Sequence, residues 1–169
     1  MPVQRLNHAV LFVRDVERSV AFYQEALGFR VVMGMPGATF LQASGSSNDH
    51  DLGLFEIGAQ AGPSGAGRST VGLYHLAWEV DTLQELERIA LKLGELDALV
   101  GASDHSTTKA LYAKDPDGLE FEVSWLVPAD LLTEEVLSGR SGIKPLDIAK
   151  EKERYGAETR GGLGVSIFV

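Results

Sequence analysis

Apolar and polar positions alternate in "LEFEVSW" (119–125), which predicts a strand with Leu119, Phe121 and Val123 on one face and Glu120, Glu122 and Ser124 on the other. The strand follows a tight turn, "DPDG" (115–118). Elsewhere the apolar period lengthens to three or four. Asp15 precedes Val16, Val20, Ala21 and Leu27, with Gly28 just beyond. Thr82 and Glu85 form a capping box for Leu83, Leu86, Ile89, Ala90 and Leu93, with Gly94 past that end. Both stretches read as capped amphipathic helices. A side-chain oxygen satisfies free N–H groups at the start, and glycine accepts the left-handed conformation at the end.

These elements repeat. "LNHAVLFV" (6–13) is echoed by "LYHLAWEV" (73–80) at an offset of 67 residues, and each copy leads into its helix. Three β-rich segments follow each helix: "FRVVMGM", "ATFLQA" and "DLGLFEI", then "LDALVGA", "KALYAKD" and "LEFEVSW". The predicted fold is therefore α+β. Two βαβββ modules, about 1–60 and 71–127, form a half-open curved barrel with the helices outside. The Gly/Ser/Pro-rich linker "GAQAGPSGAGRST" (58–70) joins them, and 1–127 makes one domain. Residues 128–169 form a C-terminal extension outside the repeat. It reads as helices over about 130–138 and 144–155, a Gly-rich turn and a last strand, "GVSIFV". Whether it packs on the barrel or on a second copy is open at this level.

Composition narrows the function. Of 169 residues, 44% are hydrophobic and 23% charged, as in an ordinary globular chain. A net charge of -9 argues against nucleic-acid binding, which draws its affinity from Lys and Arg on phosphates. No apolar run approaches the roughly 20 residues that span a bilayer, and "MPVQRLNHAV" lacks the apolar core of a signal peptide. The absence of cysteine removes disulfides and thiolate chemistry. The expectation is a cytoplasmic protein acting on a small molecule, away from membranes and nucleic acid.

His8 and His75 occupy matching places in the echoed motif, and Glu122 lies on the last strand of the second module. Taken singly, a strand His reads as a core residue and a strand Glu as a solvated one. Taken together at repeat-related positions, they make a 2-His-1-carboxylate set. Such a set leaves coordination positions open and suits Fe(II) or Mn(II) better than a closed structural zinc site. Trp78, Phe40, Met33 and Trp125 are candidates for an aromatic-ring pocket, with core packing as the simpler account.

Residues 6–125 resemble the vicinal oxygen chelate superfamily through "LNHAVLFVRDVERSVAFYQEALGF", "LYHLAWEV" and "YAKDPDGLEFEV". The resemblance implies paired βαβββ modules, metal ligands at His8, His75 and Glu122, and a homodimer. The other two of the four histidines, His50 and His105, and also Tyr112, fall where type I extradiol dioxygenases are similar to this chain. That similarity implies a catechol-type aromatic substrate, O2 and Fe(II). His50 would take a substrate proton and stabilise developing charge. Tyr112 would hydrogen-bond a deprotonated catechol oxygen, and His105 would hold a substrate hydroxyl. Asp49, Asp51 and Asp104 are acidic neighbours expected to act on the two imidazoles. One alternative is a glyoxalase I-like lyase or isomerase with Ni or Zn and a fourth ligand at Glu56. The 67-residue offset disfavours it, because it maps Glu122 onto Phe55 on the opposite face from Glu56. Glu120, one pleat from Glu122, ranks second as the anionic ligand. The other alternative is a metal-free drug-binding protein of the bleomycin-resistance type, which needs no His-His-Glu set.

Overall fold

The computed structural model describes every residue except Met1, Gln4, Arg68 and 163–169, so "GVSIFV" lies outside the described residues. The elements run β1 (Ala9–Val13), α1 (Val16–Leu27), β2 (Arg30–Met35), β3 (Ala38–Gln42) and β4 (Leu52–Glu56). The second set is β5 (Leu76–Glu79), α2 (Leu83–Glu95), β6 (Leu99–Asp104), β7 (Thr108–Lys114) and β8 (Glu120–Leu126). This is the α+β class with βαβββ twice, as the sequence predicts. The strands form an open sheet ordered β1-β4-β3-β2 and a second ordered β5-β8-β7-β6, to which a short β9 (Lys144–Pro145) adds an edge. In each sheet the first and last strands of the module pair parallel and the other module strands pair antiparallel. Even the irregularity recurs. The register slips between Val31 and Met33 in β2 and between Leu99 and Gly101 in β6.

The chain divides into two compact units, Met1–Ser64 with Asp115–Gly118, and Gly65–Lys114 with Leu119–Val169. In the first unit Asp15 caps α1, accepting from Arg18 N at 2.9 Å, and Gly28 ends it at φ 69°. Tyr23, Ala26, Leu41, Leu52 and Leu54 are buried between α1 and the sheet. The DPDG turn belongs to this unit. Asp117 accepts from Arg14 N at 2.9 Å, Arg14 Nη1 at 2.8 Å and Arg18 Nη2 at 2.6 Å. Tyr23 donates its hydroxyl to Asp115 Oδ2 at 3.2 Å.

In the second unit Thr82 Oγ1 accepts from Glu85 N at 3.1 Å. The return half of the expected capping box is missing, because the Glu85 carboxylate turns to Arg88 instead. The expected stop at Gly94 also moves. The helix continues through Glu95, and the left-handed residue is Asp97 at φ 53°. Aspartate tolerates that conformation better than most side chains. Leu83, Leu86, Ile89 and Leu93 make the buried stripe of α2.

The C-terminal extension packs on this same unit. It consists of a 3-10 turn (Ala129–Leu131), α3 (Glu134–Gly139), β9 and α4 (Ile148–Tyr155). β9 pairs with β6, α4 lies against α2, and Trp125 Nε1 donates to Thr159 O at 3.2 Å. Among the described residues no helix is long and apolar enough to cross a membrane.

Burial opposes ionisation of Asp117, but the hydrogen bonds from Arg14 and the Arg18 charge outweigh it and hold its carboxyl below the usual range. Its stabilisation is therefore complete above the unfolded value near about pH 4 and is lost as pH falls through the lower folded value. Asp117→Asn is expected to cost about 2 kcal/mol at neutral pH, read by urea unfolding with circular dichroism. The deficit should shrink in strong acid; one that stays constant down to about pH 2 would contradict this account.

Candidate functional site

The second unit's site follows from the register of β8. Glu122 lies opposite Ala77 in the parallel partner β5 and opposite Tyr112 in the antiparallel partner β7. His75 is two residues before Ala77, so His75, Glu122 and Tyr112 point to one face, while Phe121 and Val123 are buried on the other. His75 Nε2 stands 3.3 Å from Glu122 Oε2, and His75 Nδ1 is buried without a hydrogen-bond partner. The Tyr112 ring meets His75 edge-on at 6.0 Å, and its hydroxyl is 2.9 Å from His105 Nε2. Burial, then the Glu122 carboxylate and Tyr74, push the Tyr112 phenol above its ordinary value, so it keeps its proton through neutral pH. Tyr74, which the sequence reading passed over, lies against His75 with ring centroids 4.7 Å apart. Its signal was its place beside the histidine of the echoed motif.

The first unit assembles a smaller group. The His8 and His50 rings are 4.5 Å apart, and Phe40 meets His50 edge-on at 5.0 Å. His8 Nδ1 bonds Asn7 Oδ1 at 2.8 Å, and His50 Nδ1 bonds Asp49 Oδ2 at 2.9 Å. Of the three acidic neighbours, only Asp49 acts on an imidazole. Asp51 is buried and ties down the loop that carries His50, accepting from Ala43 N at 2.8 Å, Ser46 Oγ at 2.7 Å and Asn48 Nδ2 at 2.7 Å. Asp104 binds Ser106 N and Lys109 Nζ rather than His105.

The two parallel strand pairs correct the repeat alignment. Ala77 faces Glu122, and its counterpart Val10 faces Gly53. The counterpart of Glu122 is thus Gly53, two positions from the Phe55 that a constant offset selects. Connections of unequal length before the last strand account for the slip. By the same pairing Phe40 corresponds to Tyr112. Because the slip is even, Glu56 remains on the opposite face. There its Oε2 accepts from Val16 N at 3.1 Å, at the start of α1. Glu120 lies 3.5 Å from Lys114 Nζ. Of the proposed pocket residues Trp125 is fully buried core, while Met33 is half exposed. Among the described residues no group of three or more His, Cys, Asp or Glu side chains is placed so that it could hold a metal ion.

Residues 5–123 match the model of the Glyoxalase/Bleomycin resistance protein/Dioxygenase superfamily. The chain is 33% identical over 118 residues to a catechol-2,3-dioxygenase of Bacillus subtilis (strain 168), covering 70% of this chain and 40% of that protein. It is 33% identical over 121 residues to a biphenyl-2,3-diol 1,2-dioxygenase of Rhodococcus globerulus, covering 68% of this chain and 59% of that one. It thus spans about half the length of these two relatives. A lactoylglutathione lyase of Neisseria meningitidis serogroup B is 31% identical over 124 residues, covering 70% of this chain and 88% of that one.

Asp51→Ala leaves three donors without their acceptor and is expected to cost about 2–3 kcal/mol. Amide exchange should accelerate across residues 43–50 while α2 stays protected. Unchanged exchange in that loop would remove Asp51 as its organiser.

Proposed function

The chain belongs to the Glyoxalase/Bleomycin resistance protein/Dioxygenase superfamily, and from that premise we propose an extradiol-type dioxygenase that opens a catechol-type aromatic ring with O2. Fe(II) is the proposed metal, with His8, His75 and Glu122 as its ligands. The observation that carries this reading is the array on one face of the second sheet, where the donors His75 and Glu122 stand beside a neutral Tyr112 hydrogen-bonded to His105.

The donors fit a divalent ion. Two ligands at right angles, each about 2.1 Å from a metal, are about 3 Å apart, and the His75–Glu122 separation is 3.3 Å. His8, the repeat counterpart of His75, supplies the third donor. A ferrous ion held by these residues would supply the electron-transfer chemistry that O2 requires.

The chain's own groups do the rest. Tyr112 keeps its hydroxyl proton and donates it in a hydrogen bond to a deprotonated substrate oxygen, while His105 Nε2 holds that hydroxyl in place. Asp49 on His50 Nδ1 leaves Nε2 as the nitrogen that accepts a substrate proton. In the overall reaction one ring carbon–carbon bond breaks and both oxygen atoms enter the product. The lyase reading with Ni or Zn needs a second carboxylate ligand. Its repeat position is Gly53, and Glu56 is engaged at α1.

Protein reconstituted with Fe(II) without air is expected to consume O2 with a substituted catechol and release a yellow ring-cleavage product in equal amounts. No uptake across a panel of catechols, with one iron bound per chain, would sink this reading. His75→Ala should weaken Fe(II) binding by more than about 100-fold, since altering residues behind the ligands alone costs 10–100-fold; full iron occupancy in that variant would remove His75 from the ligand set. His50→Phe should keep its iron and lower kcat by about 100-fold, and unchanged kinetics would take His50 out of the mechanism.

A further inference from the structure

The turn between β6 and β7, which carries His105, is gripped from outside the repeat. Ser106 sits at φ 67°, and its Oγ donates to Val136 O in α3 at 2.8 Å. A Cβ at Gly139, the last residue of α3, would stand 2.7 Å from Ser106 Oγ and 3.1 Å from its Cβ, so the Ser106 hydroxyl would have to shift. Asp104 Oδ1 accepts from Ser106 N at 2.7 Å and from Lys109 Nζ at 2.6 Å. Lys109 is fully buried and lies 2.9 Å from Glu151 Oε2 on α4. β9 pairs alongside, with Lys144 opposite Asp104. Three elements of the C-terminal extension thus converge on the short turn that bears His105.

We propose that the C-terminal extension is a clamp on this turn, with Ser106 and Gly139 as positioning residues that hold His105 Nε2 against the Tyr112 hydroxyl. Hairpin turns are ordinarily the mobile part of a sheet. A group that must meet reacting atoms works only when held to within about half an ångström. The buried Lys109 with its two carboxylates is weak evidence for stability, since desolvation offsets most of the attraction. It fixes instead where the turn lies. The predicted effect on turnover rests on the dioxygenase reading; the placement of His105 does not.

Two full-length variants test the clamp. Ser106→Gly suits the left-handed backbone and removes the hydroxyl, whereas Gly139→Ala keeps the hydroxyl and wedges a methyl against it. Long-range 1H–15N spectra of the histidine rings in metal-free protein read His105 directly. Tyr112→Phe supplies the reference for the broken bond, and His105→Gln the assignment. Both variants should move the His105 Nε2 signal toward the Tyr112→Phe position and leave the His8 signals in place. With iron and a catechol, kcat should fall about tenfold with KM changed less than about twofold. His105 signals unchanged in both variants overturn the clamp. If Gly139→Ala fails to fold, Ser106→Gly alone decides. Shifted His105 signals in a protein whose wild type cleaves no catechol support the clamp and overturn the dioxygenase reading.

Discussion

The second unit's chemistry depends on how β8 is held between two strands of opposite sense. A parallel neighbour on one side and an antiparallel neighbour on the other put Ala77 and Tyr112 level with Glu122. A slip of one residue on either side would turn Glu122 into the buried face of Phe121 and Val123 and leave a carboxylate in apolar surroundings. The same hydrophobic burial that secures the sheet under α2 therefore aims the acid outward. Packing and function share one constraint here, and neither can be satisfied without the other.

The module order, the cap residues Asp15 and Thr82, and the face of Glu122 were legible in the sequence, because each rests on a local period or a local hydrogen bond. What escaped depends on lengths and distant partners. The true repeat mate of Glu122 is hidden by unequal connections, which no fixed offset can follow. The end of α2 was misplaced because a left-handed aspartate did the work expected of a glycine. Asp51 and Asp104 looked like partners for the adjacent histidines. Their carboxylates instead satisfy backbone and side-chain donors brought in by the loop and by Lys109. Adjacency in sequence says little about where a short acidic side chain finds its hydrogen bonds.

The two halves keep one backbone, down to a shared strand irregularity, and differ in what they display on it. Where the second sheet carries Glu122 and Tyr112, the first carries Gly53 and Phe40. Polar chemistry is concentrated on one copy, and the other is left with His8 and the His50 loop. The described part of the extension beyond the repeat pairs with β6 and packs on α2 of the second copy. The two copies share a scaffold and differ in the side chains displayed on it, in the length of the connections and in the extension packed on the second.

Gly53 sets a limit on what the first sheet can display. A Cβ at that position would already lie 3.4 Å from both the Phe40 ring and Val10 Cγ2, so a longer side chain is crowded by the aromatic group beside it. A carboxylate at Gly53 would press on Phe40, and shrinking Phe40 to make room would leave a gap against Phe55 and His50. Glycine beside phenylalanine makes the first sheet a poor host for the acid that the second sheet carries.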